Sequence, residues 1–397
     1  TVPCMEQSIS DESLRRSSME LLEVLFAATV FFGLSFWLHH PMARSPWFYS
    51  DLMHPIYSRW AGAIRSGAMP YVDFDLEYPA VSGLVIYVCS RFTVGYYDFY
   101  YLASLVLYAF VVGSVILIYR LCTLYNVDGR RIIVYCVGTT SFIVFTIYTF
   151  DWVGVFFLLL ALYLFLSDEH RSLTGSAFAL GLGVASRILP LLCLPFFVLK
   201  CEGWRQRVKY ALVTFVAWLI PNAYFMLRRL DGFLYSYRFQ AAWGIEDSWL
   251  IYLFRSSDAT VHYVSAALLL YLFLRIVKDG SRLDLAQQCW LILLAFVVTS
   301  YKFPPQYMLM LLPFFVLAPA VPYPVFAVAD LLDTMIILWW FEPMFSFGDP
   351  VQATSPVQVI SAVRQALLLL VLLRVLYPEQ LSRYVVDPLR RLLTSRV

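Results

Sequence analysis

The sequence predicts an all-α, polytopic integral membrane protein, and three observations carry that prediction. Hydrophobic residues make up 61% of the 397 and charged residues only 14%, where a soluble domain has about 45–50% and about 25%. Surface-to-volume scaling leaves no globular core of this size able to hide so much apolar surface, so lipid must solvate most of the chain. Apolar runs of the roughly 20 residues that cross a bilayer recur from end to end. Lys and Arg fall mainly in alternate connections between those runs, as the positive-inside rule requires.

Taken in order, the runs begin near Glu20, Tyr97, Ile132, Trp152, Leu173, Leu189, Tyr210, Asp258, Ala286, Gln306, Val325 and Ser361. They predict about 12 spans in one membrane-embedded unit, 1–397. The polar stretch before Glu20 has no small-residue cleavage pattern, so the first run is expected to be a true span. With the N-terminus cytoplasmic, the inner connections hold Arg15 and Arg16; Arg120, Arg130 and Arg131; Arg171; Lys200, Arg205, Arg207 and Lys209; Lys278 and Arg282. The C-terminal tail adds Arg383, Arg390, Arg391 and Arg396, which places both termini on the cytoplasmic side.

Other classes are excluded or disfavoured by composition. A formal net charge of +2 implies neither nucleic acid nor an acidic partner. The seven cysteines, Cys4 to Cys289, are scattered without C-x-x-C spacing and predict neither a disulfide framework nor a zinc site.

The first outer loop, 39–90, is long where most others are short, and long loops in compact proteins tend to be functional. Ile56, Trp60 and Ile64 recur at helical spacing, and Gly67 before Pro70 is a stop signal. This predicts a short amphipathic helix on the outer membrane surface. A second stretch, Val81 to Ser90, is too short for a span and is expected to be interfacial or re-entrant. Four acids concentrate here, Asp51, Asp73, Asp75 and Glu77, interleaved with Trp60, Pro70, Tyr71, Phe74, Tyr78 and Pro79. A hydrated loop whose acids balance Arg59 and Arg65 is one reading; a shaped, partly dry cleft is the other, and the interleaving favours it. On the same outer side, Arg187 and Lys302 stand at junctions of apolar runs beside Pro190 and Pro304. An unpaired charge there is costly.

The loop's pattern is Asp51, Tyr57, Trp60-Ala61, then Gly67, Pro70-Tyr71, Asp73-Phe74 and Glu77-Tyr78-Pro79. It resembles polyprenol-phosphate-mannose-dependent mannosyltransferases of the GT-C superfamily, and the prokaryotic α-mannosyltransferases of that group most. Three later stretches are similar to the same group: Ala185 to Pro195, Tyr235 to Trp249, and Thr299 to Pro313. The last also resembles the eukaryotic transferase that adds the first mannose to GPI anchors. Pro55 lengthens the interval from Asp51 to Tyr57, and Ala80 replaces the usual second proline after Glu77-Tyr78-Pro79.

The resemblance implies single displacement with inversion at the extracytoplasmic face. A lipid-linked phosphate sugar would be the donor and a lipid- or glycan-linked hydroxyl the acceptor. It implies Asp51 as general base, with Asp73, Asp75 and Glu77 as alternative acids. Lys302 is the first choice for the donor phosphate, then Arg238 and Arg187, with Gln306 and Tyr307 orienting it. Tyr57, Trp60, Tyr78 and Tyr307 would line the sugar and acceptor pocket; the same aromatics equally suit an interfacial belt. No cofactor is expected. Asp73-Phe74-Asp75 has D-x-D spacing and His39, His40 and His54 share the loop, but Lys and Arg can neutralise a lipid phosphate without a metal. The rival class is a transporter or flippase for a lipid-linked or anionic substrate, which would place ionisable residues within spans or in paired broken helices.

Overall fold

The structure is a computed structural model that describes residues 11–40, 49–255, 258–280, 282–318, 321–341 and 349–381. Cys4 and the C-terminal Arg383, Arg390, Arg391 and Arg396 lie outside the described residues, as do the side chains of Arg15 and Arg16.

The described residues are helical, with no strand beyond two isolated bridges. α1 spans Asp11–Leu38. A wide-turn π-helix, Leu52–Ala61, runs straight into α2, Gly62–Arg65. α3 (Ala80–Arg91) and α4 (Tyr96–Leu124) follow. A π-helical turn at Ile133–Val137 precedes α5, Thr140–Phe145. Then come α6 (Asp151–Leu166) and α7 (Leu173–Ser186). A 3-10 turn, Leu189–Cys193, enters α8, Leu194–Lys200. α9 (Gly203–Arg228), α10 (Leu230–Ala241), α11 (Thr260–Lys278) and α12 (Leu285–Thr299) come next. A 3-10 turn at Pro305–Tyr307 opens α13, Met308–Leu317. α14 (Tyr323–Phe341), α15 (Pro356–Leu376) and the short α16 (Pro378–Leu381) complete the chain.

Six of these are long and apolar enough to cross a membrane: α1 over Ser18–Leu38, α4, α9, α11, α14 and α15. The protein is therefore multi-pass in character. The remaining apolar runs of the sequence form shorter helices of 10–17 residues or pairs of helical pieces. The breaks have local causes. Pro190 and Pro195 cannot donate to an α-helical ladder and split the run that starts at Leu189. Gly138 and the capping hydroxyl of Thr139 split the run that starts near Ile132. α10 is an addition: twelve residues of low mean apolarity that give no span-like signal.

α7 packs along both α6 and α9, α14 along α15, and α4 along α6. α7 reads LTGSAFALGLGVAS, and its small residues allow close approach. The end opposite the first loop is closed by basic side chains on free carbonyls. Arg131 donates to Val316 O at 2.9 Å and Ala318 O at 3.0 Å, at the C-terminus of α13. Lys200 Nζ donates to Gly280 O at 3.2 Å, just past the C-terminus of α11. Cations are favoured where helix carbonyls end.

The described part of the first loop, from Tyr49 on, is folded rather than loose. The apolar face of Leu52–Arg65, with Leu52, Ile56, Trp60 and Ile64 buried, lies against α3 and α4. Gly67 adopts φ +105° as the helix stops. Tyr71 takes the left-handed φ of +66° and is held there. Its hydroxyl donates to Tyr78 O at 2.6 Å, and its ring packs on Phe225 at 4.7 Å. A Cβ on Gly83 would sit 2.0 Å from that hydroxyl, so α3 carries glycine where the ring crosses it.

Candidate active site

Asp51 immediately precedes the π-helix, and backbone chemistry fixes it. Ser50 Oγ donates to Ile147 O at 2.8 Å, and Leu52 N donates to Tyr148 O at 3.0 Å. The acid is thereby stitched to the connection between α5 and α6. That connection carries Thr149 and leads into Asp151.

Arg187 terminates α7, and its guanidinium turns inward. Nη2 donates to Asp151 Oδ2 and to Thr149 Oγ1, each at 2.7 Å, while Nε is buried without a partner. Gly154 of α6 makes room for it, since a Cβ there would meet Arg187 Cβ and Cγ at 3.1 Å. Tyr78 lies under the same guanidinium, 5.6 Å from its carbon, and its hydroxyl reaches Asp51 Oδ2 at 3.4 Å.

Lys302 arrives from the connection between α12 and α13. There the chain pairs with the Glu246 turn: Glu246 N donates to Tyr301 O at 3.1 Å, and Phe303 N to Glu246 O at 3.0 Å. Lys302 Nζ lies 3.5 Å from the centre of the Trp243 ring and donates to Gln240 Oε1 at 3.1 Å. The Trp243 indole N–H donates to the Glu246 carboxylate.

These groups line one cavity of about 380 Å³, within the range of small-molecule sites. Its charged side holds Asp51, Glu77, Glu246 and Asp247 with Arg59, Arg187 and Lys302. Its apolar side is the last turns of α14, Ile336, Ile337, Trp340 and Phe341, with Phe341 stacked on Tyr49 at 3.9 Å. The lining thus comes from at least five segments, each at the end of the bundle where α1 finishes.

Burial sets the ionisation of this wall. It pushes the Asp51 carboxyl up to about 6, against hydrogen bonds from Tyr49 and Tyr78 and the charge of Arg187, which pull it down. Burial likewise lowers the Lys302 ammonium to about 8, although Glu246 opposes that shift. Glu246 and Glu77 are raised by burial and pulled back by Lys302 and Arg59 respectively. The result is an acid and a base whose ionisation changes bracket neutral pH. Such a pair can accept a proton from a hydroxyl on one side and hold an anion on the other.

Of the residues singled out from sequence, Asp51, Glu77, Tyr78, Arg187, Lys302, Gln306 and Tyr307 converge on this cavity. Arg59, named from sequence as a counter-charge, lines it too, whereas the other candidate site residues do not. Asp73 accepts from Met69 N at 2.7 Å and shapes the Tyr71 turn. Asp75 pairs with Arg229 at 2.9 Å. Arg238, 63% exposed, pairs with Asp231 at 3.1 Å, although its immediate neighbours Phe239 and Gln240 line the cavity. Tyr57 packs against Tyr96 and Phe99. Trp60 is buried behind Tyr78, ring centres 6.3 Å apart.

Asp73 and Asp75 thus face different partners, and His39 Nε2 lies 2.7 Å from Val144 O. Among the described residues no three His, Cys, Asp or Glu side chains gather as metal ligands. Sequence reasoning did not single out Tyr49 or Thr149; Trp243, Glu246 and Asp247 fall within the stretch Tyr235 to Trp249 that carries the resemblance, but none was given a role of its own. In the structure Asp247 takes a left-handed φ of +53°, a conformation that suits Asn, Asp or Gly in a tight turn.

Compared with protein-family models, curated proteins and solved structures, the chain matches none.

Proposed function

We propose that the protein is an inverting glycosyltransferase that moves a sugar, mannose by the resemblance of its first loop, from a polyprenyl-phosphate donor to an acceptor hydroxyl. The acceptor is lipid- or glycan-linked, and the reaction takes place at the extracytoplasmic face. One observation carries this reading: Asp51, Arg187 and Lys302, up to 251 positions apart in sequence, share one half-buried cavity with an apolar flank.

In this reading Asp51 accepts the proton of the acceptor hydroxyl as its oxygen bonds the anomeric carbon. The bond from that carbon to the phosphate oxygen breaks on the opposite face, so a β-linked donor gives an α-linked product. The leaving polyprenyl phosphate gains negative charge, which Lys302 and Arg187 stabilise as an oxyanion hole does. Gln306 and Tyr307 orient the phosphate, and Tyr78 holds Asp51 beside Arg187. The apolar end of α14 gives the lipid tail a way out of the charged wall.

The test is sugar transfer by purified protein in detergent, from a polyprenyl-phosphate sugar to a hydroxyl acceptor. Asp51→Asn is expected to lose about 10²–10⁴-fold in rate, the usual worth of a general base. Transfer by Asp51→Asn at the wild-type rate sinks the assignment. Substrate that crosses sealed vesicles chemically unchanged replaces it with transport.

A further inference from the structure

One buried charge has no part in that chemistry and yet touches two of the segments that build the site. Arg364 lies within α15, a helix apolar enough to cross a membrane, and its side chain is wholly buried. Ionisable residues in such segments are costly and mark function. Its Nη1 pairs with Asp333 of α14. Its Nη2 donates to two backbone carbonyls, Phe303 O at 2.9 Å and Asp247 O at 3.1 Å. The guanidinium also lies 3.7 Å over the Phe303 ring.

Those two carbonyls belong to the residues immediately after Lys302 and Glu246. Asp333 extends the connection to the other wall. It accepts from Ser141 Oγ of α5 at 3.1 Å, while its neighbour Asp330 accepts from Thr140 N at 2.7 Å and Ser141 N at 3.1 Å. α5 leads to Tyr148, whose carbonyl receives Leu52 N beside Asp51. Stability alone does not call for this arrangement, because well-packed apolar residues often replace a buried ion pair without loss. An apolar side chain has no means of fixing two carbonyls, however, and one of them belongs to a residue held at positive φ.

We propose that Arg364 is a positioning residue, which clamps the Glu246–Asp247 turn to the Lys302–Phe303 segment and so holds the Lys302 ammonium in place across the cavity from Asp51. The clamp itself is a claim about Lys302's placement; only its effect on transfer rests on the proposed function.

The experiment reads Lys302 directly, by competitive labelling with an amine-selective acylating reagent across pH, quantified by peptide mass spectrometry. Burial makes Lys302 of the wild type half-reactive near pH 8. Arg364→Lys keeps a cation for Asp333 but lacks the fork that spans both carbonyls. The segment then relaxes into water, and the half-reactive pH rises by about one unit, a tenfold change in the ionisation constant. Arg364→Met combined with Asp333→Asn removes both charges, keeps an acceptor for Ser141, and is expected to fold with the same labelling shift.

In both variants kcat for sugar transfer falls about 10²-fold with KM little changed, as misplacement of a fixed group implies. A folded variant that labels Lys302 as the wild type does overturns the proposal. A wild type that shows no sugar transfer strikes the functional reading alone, and the labelling curve then decides the role of Arg364.

Discussion

Asp51 and Lys302 are opposite cases of one cause. Removal from water disfavours the charged form of each, so the acid moves up to about 6 and the base down to about 8. Asp51 accepts a proton only above its value, and Lys302 attracts phosphate only below its own. The expected profile of kcat/KM is therefore a bell with limbs near pH 6 and pH 8. Lys302→Arg separates the two groups, because a guanidinium stays charged throughout. Its profile should keep the acidic limb and lose the alkaline one; an alkaline limb that stays near pH 8 removes Lys302 from the role. Lys302 stood out in the sequence as an ionisable residue at the junction of two apolar runs, Asp51 as one of four acids concentrated in the first loop and through the resemblance. Glu246 and Tyr49 did not stand out. A lone acid or tyrosine in an aromatic-rich connection gives no periodic signal; the pairing with the Lys302 segment brings Glu246 to the cavity, and the hydrogen bond to Asp51 and the Phe341 stack bring Tyr49.

At the scale of elements, hydrophobic runs placed the helices and proline placed the breaks, but sequence does not say how closely two helices approach. α7 and α9 depend on that. A Cβ built on Gly181 would lie 2.3 Å from Thr214 O and 2.6 Å from Ala217 Cβ, and backbone oxygen has little freedom to give way. Gly181→Ala should therefore cost about 1–3 kcal/mol through overpacking, read as a lower melting temperature in detergent. Gly33→Ala in α1 is the control, with nothing within 4 Å of the added carbon. It should cost nothing, since alanine is the better helix residue. Equal losses at both positions would mean that α7 and α9 do not meet as closely as their small residues allow. The same limit explains why the first loop read as a surface helix. Periodicity identified its apolar face, whereas α3 and α4 bury that face within the protein.

For the whole molecule, the alternation of basic connections predicts which end faces the cytoplasm. The cavity opens at the end where α1, α7, α9 and α12 finish. Arg131, Lys200 and Arg275 sit at the other, each bonded to backbone carbonyls at or near helix termini. On the positive-inside rule that second end is expected on the cytoplasmic side. Two exposed positions report on it: Asp231 at the start of α10, 79% exposed, and Glu169 between α6 and α7, 84% exposed. The six described cysteines are all buried, so with Cys4→Ser an introduced thiol stands out. In sealed membranes whose outer surface is the extracytoplasmic one, Asp231→Cys should react with an impermeant maleimide before permeabilisation. Glu169→Cys should react only afterwards. The reverse order would put Asp51 and Lys302 on the cytoplasmic side, where water-soluble nucleotide sugars are the available donors and a lipid-phosphate donor loses its rationale.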